Sequence, residues 1–470
     1  MRDVCSARAA VLLLAGLTLA ACGSGSGGNG GSEIGMLRTV AYAQSDCYVG
    51  LPGRQQLWAT DSRGVPRAIA DLPSTPPLPP MLCELYGQGR AGDGAKVAAF
   101  LQRLAVSPDG QTLVYEITDD FSLEPLGWRG VLGAEDEGFF AIGSDGNGRR
   151  RLGPASRVAS FKFVLDSLSG DFSGPSIAFS LDGRSVLFTD LGTAPSGEES
   201  IQIVALDLTD GTRRQITHLD PITPESARSA TQLEINGLTF VDADHIAFAI
   251  HSAQGLAIET VDVATGELVT RQPPVAIPGA TFVSSFAITS RDKLLLPLAL
   301  PGTAENPHPP TTGILELFVE SGQDVVQVTN FKRVDTFPGA LTADGTRVLF
   351  DASTDALGTN PEQTCQMFSV GTLGGDLRQL TYFPACDDQG CLADALAPVA
   401  YDLERDLVVF ESYCDLTGSG VYGGEFYTIR SDGSDLRQLS TARGVVTEDD
   451  GTVSVQLPGF LSYAAVPSER

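Results

Sequence analysis

Positive charge and histidine are what this chain has least of. Against 58 acidic residues it sets 31 lysines and arginines, for a net charge of -27. A surface this acidic repels phosphate backbones, which excludes nucleic acid as a partner and disfavours broad contact with anionic lipid. It also keeps molecules apart, so a monomer is expected. The four histidines are His218, His245, His251 and His308. They are too few and too scattered for a metal or catalytic site, and only His245 and His251 fall near one hairpin. Catalytic signatures are missing too. There is no His-Glu-x-x-His zinc helix, no Gly-x-Ser-x-Gly elbow and no Gly-x-x-x-x-Gly-Lys phosphate loop. Carboxylates are so abundant that no glycosidase pair stands out. The expectation is a non-enzyme with no cofactor, no catalytic residues and no metal.

Long apolar runs are absent beyond residue 21. The run that exists, Ala9 to Ala21 behind Arg2 and Arg8, is too short to span a bilayer as a mature helix and reads as a signal peptide. It ends Leu19-Ala20-Ala21-Cys22-Gly23. Small residues before a cysteine at this place resemble the lipobox of bacterial lipoproteins. The resemblance implies cleavage before Cys22, with diacylglycerol on its thiol and an acyl chain on its new amine. Several acyl chains make a stable anchor where one is marginal. Gly23 in place of Asp implies, by the same resemblance, the outer membrane, with the periplasmic or surface side left open. Ser24 to Ser32 alternates Gly, Ser and Asn with nothing to pack, so it reads as a flexible tether. The expected organisation is a signal peptide over 1–21, an acylated cysteine and tether over 22–36, and one folded domain over 37–470.

That domain carries 52 glycines and 28 prolines among alternating apolar runs, the composition of an all-β chain rich in turns. A repeat accounts for them. One half is strand, Asp-Gly turn, strand. It appears as Leu104-Ala105-Val106-Ser107-Pro108-Asp109-Gly110-Gln111-Thr112-Leu113-Val114-Tyr115, and again over 177–188 and 340–350. Weaker copies sit at Asp242-Ala243-Asp244, Ser290-Arg291-Asp292 and Leu403-Glu404-Arg405. The other half ends in Arg214-Gln215-Ile216-Thr217, Arg378-Gln379-Leu380-Thr381 or Arg437-Gln438-Leu439-Ser440, with further copies turning at Gly64, Gly146, Gly266 and Gly322. Asp bonds its own turn backbone and Gly takes positive φ there. Two hairpins per repeat make a four-stranded meander, the blade of a β-propeller.

These half-repeats resemble the WD40-like repeats of TolB and of the propellers of prolyl-oligopeptidase-type enzymes, from about residue 38 to the C-terminus. The resemblance implies a propeller and is nearly silent on function. TolB carries an α/β domain ahead of its propeller, whereas here blade one follows the tether almost directly. Seven second halves give seven blades, and the weak copies leave six or eight open. Blade one lacks an innermost strand. Pro458-Gly459-Phe460-Leu461 aligns with Pro338-Gly339-Ala340-Leu341, so Phe460 to Val466 is expected to close it.

With strands lettered A to D from the centre, A–B and C–D turns share one end of every blade, and B–C and D–A loops share the other. The long segments are B–C loops (118–138, 190–200, 301–313, 353–365, 414–424) and D–A loops (73–99, 154–174). Insertions therefore crowd one face, where binding sites on rigid scaffolds usually lie. Cys47, Cys83, Cys365, Cys386, Cys391 and Cys414 fall in or beside the same loops. An even number in an exported chain reads as disulfides, and loop order pairs Cys47 with Cys83, Cys365 with Cys386, and Cys391 with Cys414. The last two bonds sit close enough to exchange partners. Disulfides are favoured over a metal clip for Cys386 to Cys391, and solvated charge over Ca²⁺ sites for Glu135-Asp136-Glu137 and Glu448-Asp449-Asp450. The leading expectation is a scaffold for a protein, peptide or glycan. The alternative is an envelope hydrolase or lyase with channel carboxylates.

Overall fold

The computed structural model describes residues 39–48, 53–60, 64–75, 100–119, 131–158, 177–220, 234–240, 242–252, 255–272, 281–282, 287–288, 293–300, 314–321, 324–331, 336–342, 345–383, 397–402, 406–412, 416–417, 425–430, 432–440, 444–447 and 453–463. All belong to one compact unit, Met36–Arg470.

The B strands show why these sequences form stacked sheets. Leu113-Val114-Tyr115, Val186-Leu187-Phe188, Val348-Leu349-Phe350 and Val408-Val409-Phe410 are apolar at consecutive positions and buried throughout. A strand alternates its side chains between two faces, so an unbroken apolar run needs cover on both. Blades stacked side by side supply it. Val186 and Phe188 pack with Val114, Phe139 and Ala141 of the preceding sheet. Leu187, between them, packs with Phe240, Ile246 and Phe248 of the following one.

Among the described residues the strands form seven antiparallel sheets in chain order. Blade 2 is Leu101–Val106, Thr112–Ile117, Gly138–Gly143 and Arg150–Gly153; blade 3 is Ile177–Phe179, Ser185–Thr193, Glu199–Asp207 and Arg213–Gln215. Blade 4 is Glu234–Phe240, His245–Ser252, Gly255–Asp262 and Leu268–Gln272. Blade 5 splits its inner strand into Thr281–Phe282 and Ala287–Ile288, then runs Lys293–Leu300, Ile314–Ser321 and Asp324–Gln327. Blade 6 is Thr336–Leu341, Arg347–Ala352, Gln366–Gly371 and Arg378–Gln379; blade 7 is Ala397–Asp402, Leu407–Ser412, Glu425–Arg430 and Arg437–Gln438. Inner strands touch from each blade to the next, and blade 7 meets blade 1, so the sheets form a closed β-propeller.

Blade 1 joins the two ends of the chain. Val40–Tyr48, Gly53–Thr60 and Pro66–Thr75 supply strands B, C and D, and Val453–Tyr463 supplies strand A. The closing strand starts earlier than expected, and a short strand, Gly444–Thr447, pairs along its first residues to make this sheet five-stranded. The alignment of Pro458-Gly459 with Pro338-Gly339 has a physical basis: both A strands shift register against strand B there, opposite Ala41/Ala43 and at Pro338/Ala340. Such bulges bend a strand, and blades 2, 4 and 7 carry them in strand A as well.

The Asp-Gly turns are self-contained. Asp109 Oδ1 accepts from Ser107 Oγ (2.6 Å) and Gln111 N (2.9 Å), while Thr112 N donates back to Ser107 Oγ (2.9 Å). Ser180 and Asp182 repeat the set, and the Ser180 hydroxyl holds the Asp182 carboxyl below the usual carboxylate range.

Candidate functional site

The two ends of the propeller differ. Between the described strands no A–B or C–D connection exceeds six residues, whereas B–C and D–A connections include 118–137, 154–176 and 353–365. One expected loop is shorter than its sequence suggested. Residues 190–200 are mostly paired, because strands B and C of blade 3 continue to Thr193 and from Glu199.

The described insertions carry their own hydrogen bonds. In 353–365, Asn360 Nδ2 donates to the carbonyls of Thr354 (3.0 Å) and Thr364 (2.8 Å), and its Oδ1 accepts from Thr364 N (3.2 Å) and Oγ1 (3.1 Å). In blade 2, Asp119 Oδ2 accepts from Val131 N (2.7 Å) and Leu132 N (3.3 Å), tying the outgoing and returning limbs together. Glu137 Oε1 accepts from Asp119 N (3.2 Å); burial, then the neighbouring Asp119 carboxyl, raises the Glu137 pKa.

At this end, the seam between blades 2 and 3 holds buried charge. Arg103, on strand A of blade 2, is 1% exposed and pairs with fully buried Glu116 on strand B. Arg103 Nη2 also donates to Thr189 O (3.3 Å), Thr189 Oγ1 (3.0 Å) and Val158 O (3.3 Å). From blade 3, Arg213 Nη1 donates to Asp190 Oδ2 (2.8 Å). Arg213 lies over the rings of Phe139 (5.4 Å) and Phe188 (5.2 Å), and burial lowers its pKa against the pull of Asp190. The cluster grips the first residues of the D–A connection. Glu116 Oε1 accepts from Ser156 N, Asp190 Oδ1 from Arg157 N (2.8 Å), and Ser156 Oγ donates to Thr189 O (2.8 Å). Buried pairs stabilise little but fix geometry, and here Nε of both Arg103 and Arg213 is buried without a partner, so the cluster counts for placement rather than strength. It sets the root of a long insertion.

A repeated clamp explains why that seam is different. In blade 3, Thr217 Oγ1 donates to Gln202 Oε1 (2.9 Å) and accepts from Ile203 N (2.8 Å). Gln366 with Thr381 in blade 6, Glu316 with Thr329 in blade 5, and Glu425 with Ser440 in blade 7 do the same. The recurrent Gln-Leu-Thr ending is thus the lock between strands C and D. Blade 2 has Gly138 and Gly153 at the clamp positions, so close that a Cβ on Gly138 would lie 2.2 Å from Gly153 O. Arg213 of blade 3 lies beside Gly153, within 4.0 Å of where its Cβ would be.

The residues singled out from sequence are placed unevenly. Cys22, Cys83, Cys386, Cys391 and Cys414 lie outside the described residues, as do His308 and Glu448 to Asp450. Cys47 falls within strand B of blade 1, paired with Val455, rather than in the loop beyond it. Cys365 is buried and disulfide-bonded, directly before strand C of blade 6. His245 is bound to its own A–B turn, with Nδ1 2.9 Å from Asp242 Oδ1, at the end away from the insertions. Glu135 and Asp136 are exposed, and among the described residues no three His, Cys, Asp or Glu side chains gather as metal ligands. Sequence reading missed Arg103, Glu116, Asp190 and Arg213. The available signals were the Gly138/Gly153 substitution of the clamp and two charges inside apolar strands.

No protein-family model matches the chain, and no curated protein sequence does. Solved structures match at low identity. TolB from Acinetobacter baumannii is 11% identical over 91% of this chain and 82% of its own, with a TM-score of 0.37. An oligogalacturonate lyase from Vibrio parahaemolyticus is 12% identical over 75% and 80%, with a TM-score of 0.40. The propeller of the Trilobed protease from Pyrococcus furiosus is 11% identical over 73% and 96%, with a TM-score of 0.34. Identities of this size speak to fold alone.

Proposed function

We propose that this chain is a non-enzymatic binding scaffold of the bacterial cell envelope, held by lipid on Cys22 and presenting the insertion-bearing end of its propeller to a protein, peptide or glycan. The observation that carries the reading is one-sidedness: the long connections share an end, and the described ones are cross-bonded into fixed shapes. A preshaped surface loses less entropy on binding than a floppy one. The lipobox-like Leu19-Ala20-Ala21-Cys22 supports the anchor, Gly23 supports the outer membrane, and cysteines beside the loops support disulfides that stiffen them.

The test is crosslinking in the native envelope, with a photoreactive residue placed in turn at Glu198 or Leu357 on the insertion end and at Arg184 or Leu373 on the other. The reading expects a partner trapped from the first pair and lost when 353–365 is shortened. Adducts confined to the second pair would overturn it. Turnover of a polysaccharide or peptide library by the purified chain would replace it with a hydrolase or lyase.

A further inference from the structure

The clamp between strands C and D holds an amide in blades 3 and 6 and an acid, Glu316 or Glu425, in blades 5 and 7. In blades 3 and 6 the glutamine uses both ends. Gln202 Oε1 accepts from Thr217 Oγ1 and Leu219 N (2.8 Å), while its Nε2 donates to Leu219 O (3.0 Å). Gln366 Oε1 accepts from Thr381 Oγ1 and Phe383 N (3.0 Å), while its Nε2 donates to Phe383 O (2.6 Å). One end of this position is thus an acceptor and the other a donor. Glu425 is 1% exposed in the same place. Its Oε2 accepts from Ser440 Oγ and its Oε1 is buried with no partner at ordinary hydrogen-bond geometry, although the Gln438 side chain bonds the carboxyl weakly enough that burial outweighs it. An ionised carboxyl has no donor to offer at that end, whereas a protonated one does.

The position bears on ring closure. Ser440 Oγ, held by Glu425, accepts from Phe426 N (2.9 Å), and Leu439 N donates to Phe426 O (2.7 Å). Phe426 meets Tyr42 of blade 1 edge-on at 5.5 Å, within a cluster that joins Val409, Phe426 and Leu439 to Val40 and Tyr42. Tyr42 hydroxyl reaches Leu439 O (3.4 Å).

We infer that the seam closing the propeller carries a proton-operated latch: protonated Glu425 stands in for the glutamine of blades 3 and 6, and its ionisation loosens the contact of blade 7 with blade 1. The surrounding charges agree. Among the described residues, the charge of Glu411 on strand B acts on it, while Arg430 and Arg437 are turned to Asp435. Burial first, with Glu411 adding and Gln438 opposing, pushes the Glu425 pKa from 4.5 up to about 8. The folded value is raised, so the stabilisation is complete below the unfolded pKa and is lost as pH rises through the folded one.

The experiment compares wild type, Glu425→Gln and Glu411→Gln as full-length proteins between pH 5 and pH 9.5, by thermal unfolding and by hydrogen exchange read peptide by peptide. Glu425→Gln should melt with wild type at pH 5 and about 2–5 °C above it at pH 9. At pH 9 the wild-type excess of exchange should concentrate in 425–430 and 453–463. Glu411→Gln should move the wild-type transition to lower pH. A melting difference that is the same at every pH would overturn the latch, as would excess exchange spread evenly over all blades.

Discussion

Gly211 has a backbone φ of +76°, and a Cβ placed on it would lie 2.1 Å from the Leu152 carbonyl of the preceding blade. Gly266 stands in the same relation to Ile216 O at 2.4 Å, and Gly433 to Leu380 O at 3.0 Å. The C–D turn glycine therefore answers two demands, positive φ and a backbone pressed against the preceding blade. Gly183, in an A–B turn, answers only the first: φ is +68° and nothing lies within 4 Å of its Cβ position. The pair separates the two costs. Gly183→Ala should lose about 1–2 kcal/mol, the ordinary penalty of a side chain in the left-handed region. Gly211→Ala should lose more, because backbone rather than a movable side chain blocks the methyl. Urea unfolding of both variants reads the difference, and equal losses would show that blade packing yields easily at the turn.

Between neighbouring sheets, arginines on successive D strands act as stitches. Arg67 donates to Ser144 O (3.0 Å), Arg150 to Leu208 O, and Arg214 to Val263 O (2.7 Å), each into the C–D turn of the next blade. Blade 2 adds the buried Arg103–Glu116 pair within its own sheet, from which Arg103 reaches Thr189 of blade 3, and its value can be tested by removing one partner or both. Arg103→Met strands the Glu116 carboxyl and should cost about 3–5 kcal/mol in chemical unfolding, while Arg103→Met with Glu116→Leu should recover most of it. Recovery would show that the pair fixes the 154–158 connection rather than holding the blades; proteolysis should then find that connection open in the double variant. Failure to recover would make the pair a net source of stability. Little of this element-level detail was open to sequence reading. The Asp-Gly turns and the Gln-Leu-Thr endings were, because each is a local device that repeats with the chain. The partner of a clamp residue lies on another strand, and that of Arg213 lies in another blade, so neither shows in the spacing. The bulge opposite Ala41 and Ala43 is the middle case: its Pro-Gly signature was legible, but the strand around it begins seven residues before Phe460.

At the scale of the whole molecule, a single strand decides whether the propeller is closed. Val453–Tyr463 pairs with Val40–Tyr48 from Tyr48↔Ser454 to Val40↔Tyr463, and nothing else in the described chain covers that edge of blade 1. Without it, strand B would present unpaired N–H and C=O groups, together with apolar Val40 and Tyr42, on an open sheet edge. Removing residues 444–470 should therefore abolish a single cooperative melt and make the remainder prone to association, read by calorimetry and light scattering. Truncation alone would not distinguish lost pairing from a lost folding signal, and chain order supplies the control. Tyr463 lies directly across from Val40, so the closing strand and strand B are already the two arms of a hairpin that lacks a turn. A permuted chain running 444–470 and then 39–443 would join them through residues 464–470 and Thr39, longer than the roughly two to five residues of a tight hairpin loop and so able to turn without strain. If pairing is what closes the propeller, the permuted protein should regain one transition within about 5 °C of wild type. If it melts as broadly as the truncated chain, closure depends on the order in which the blades are made.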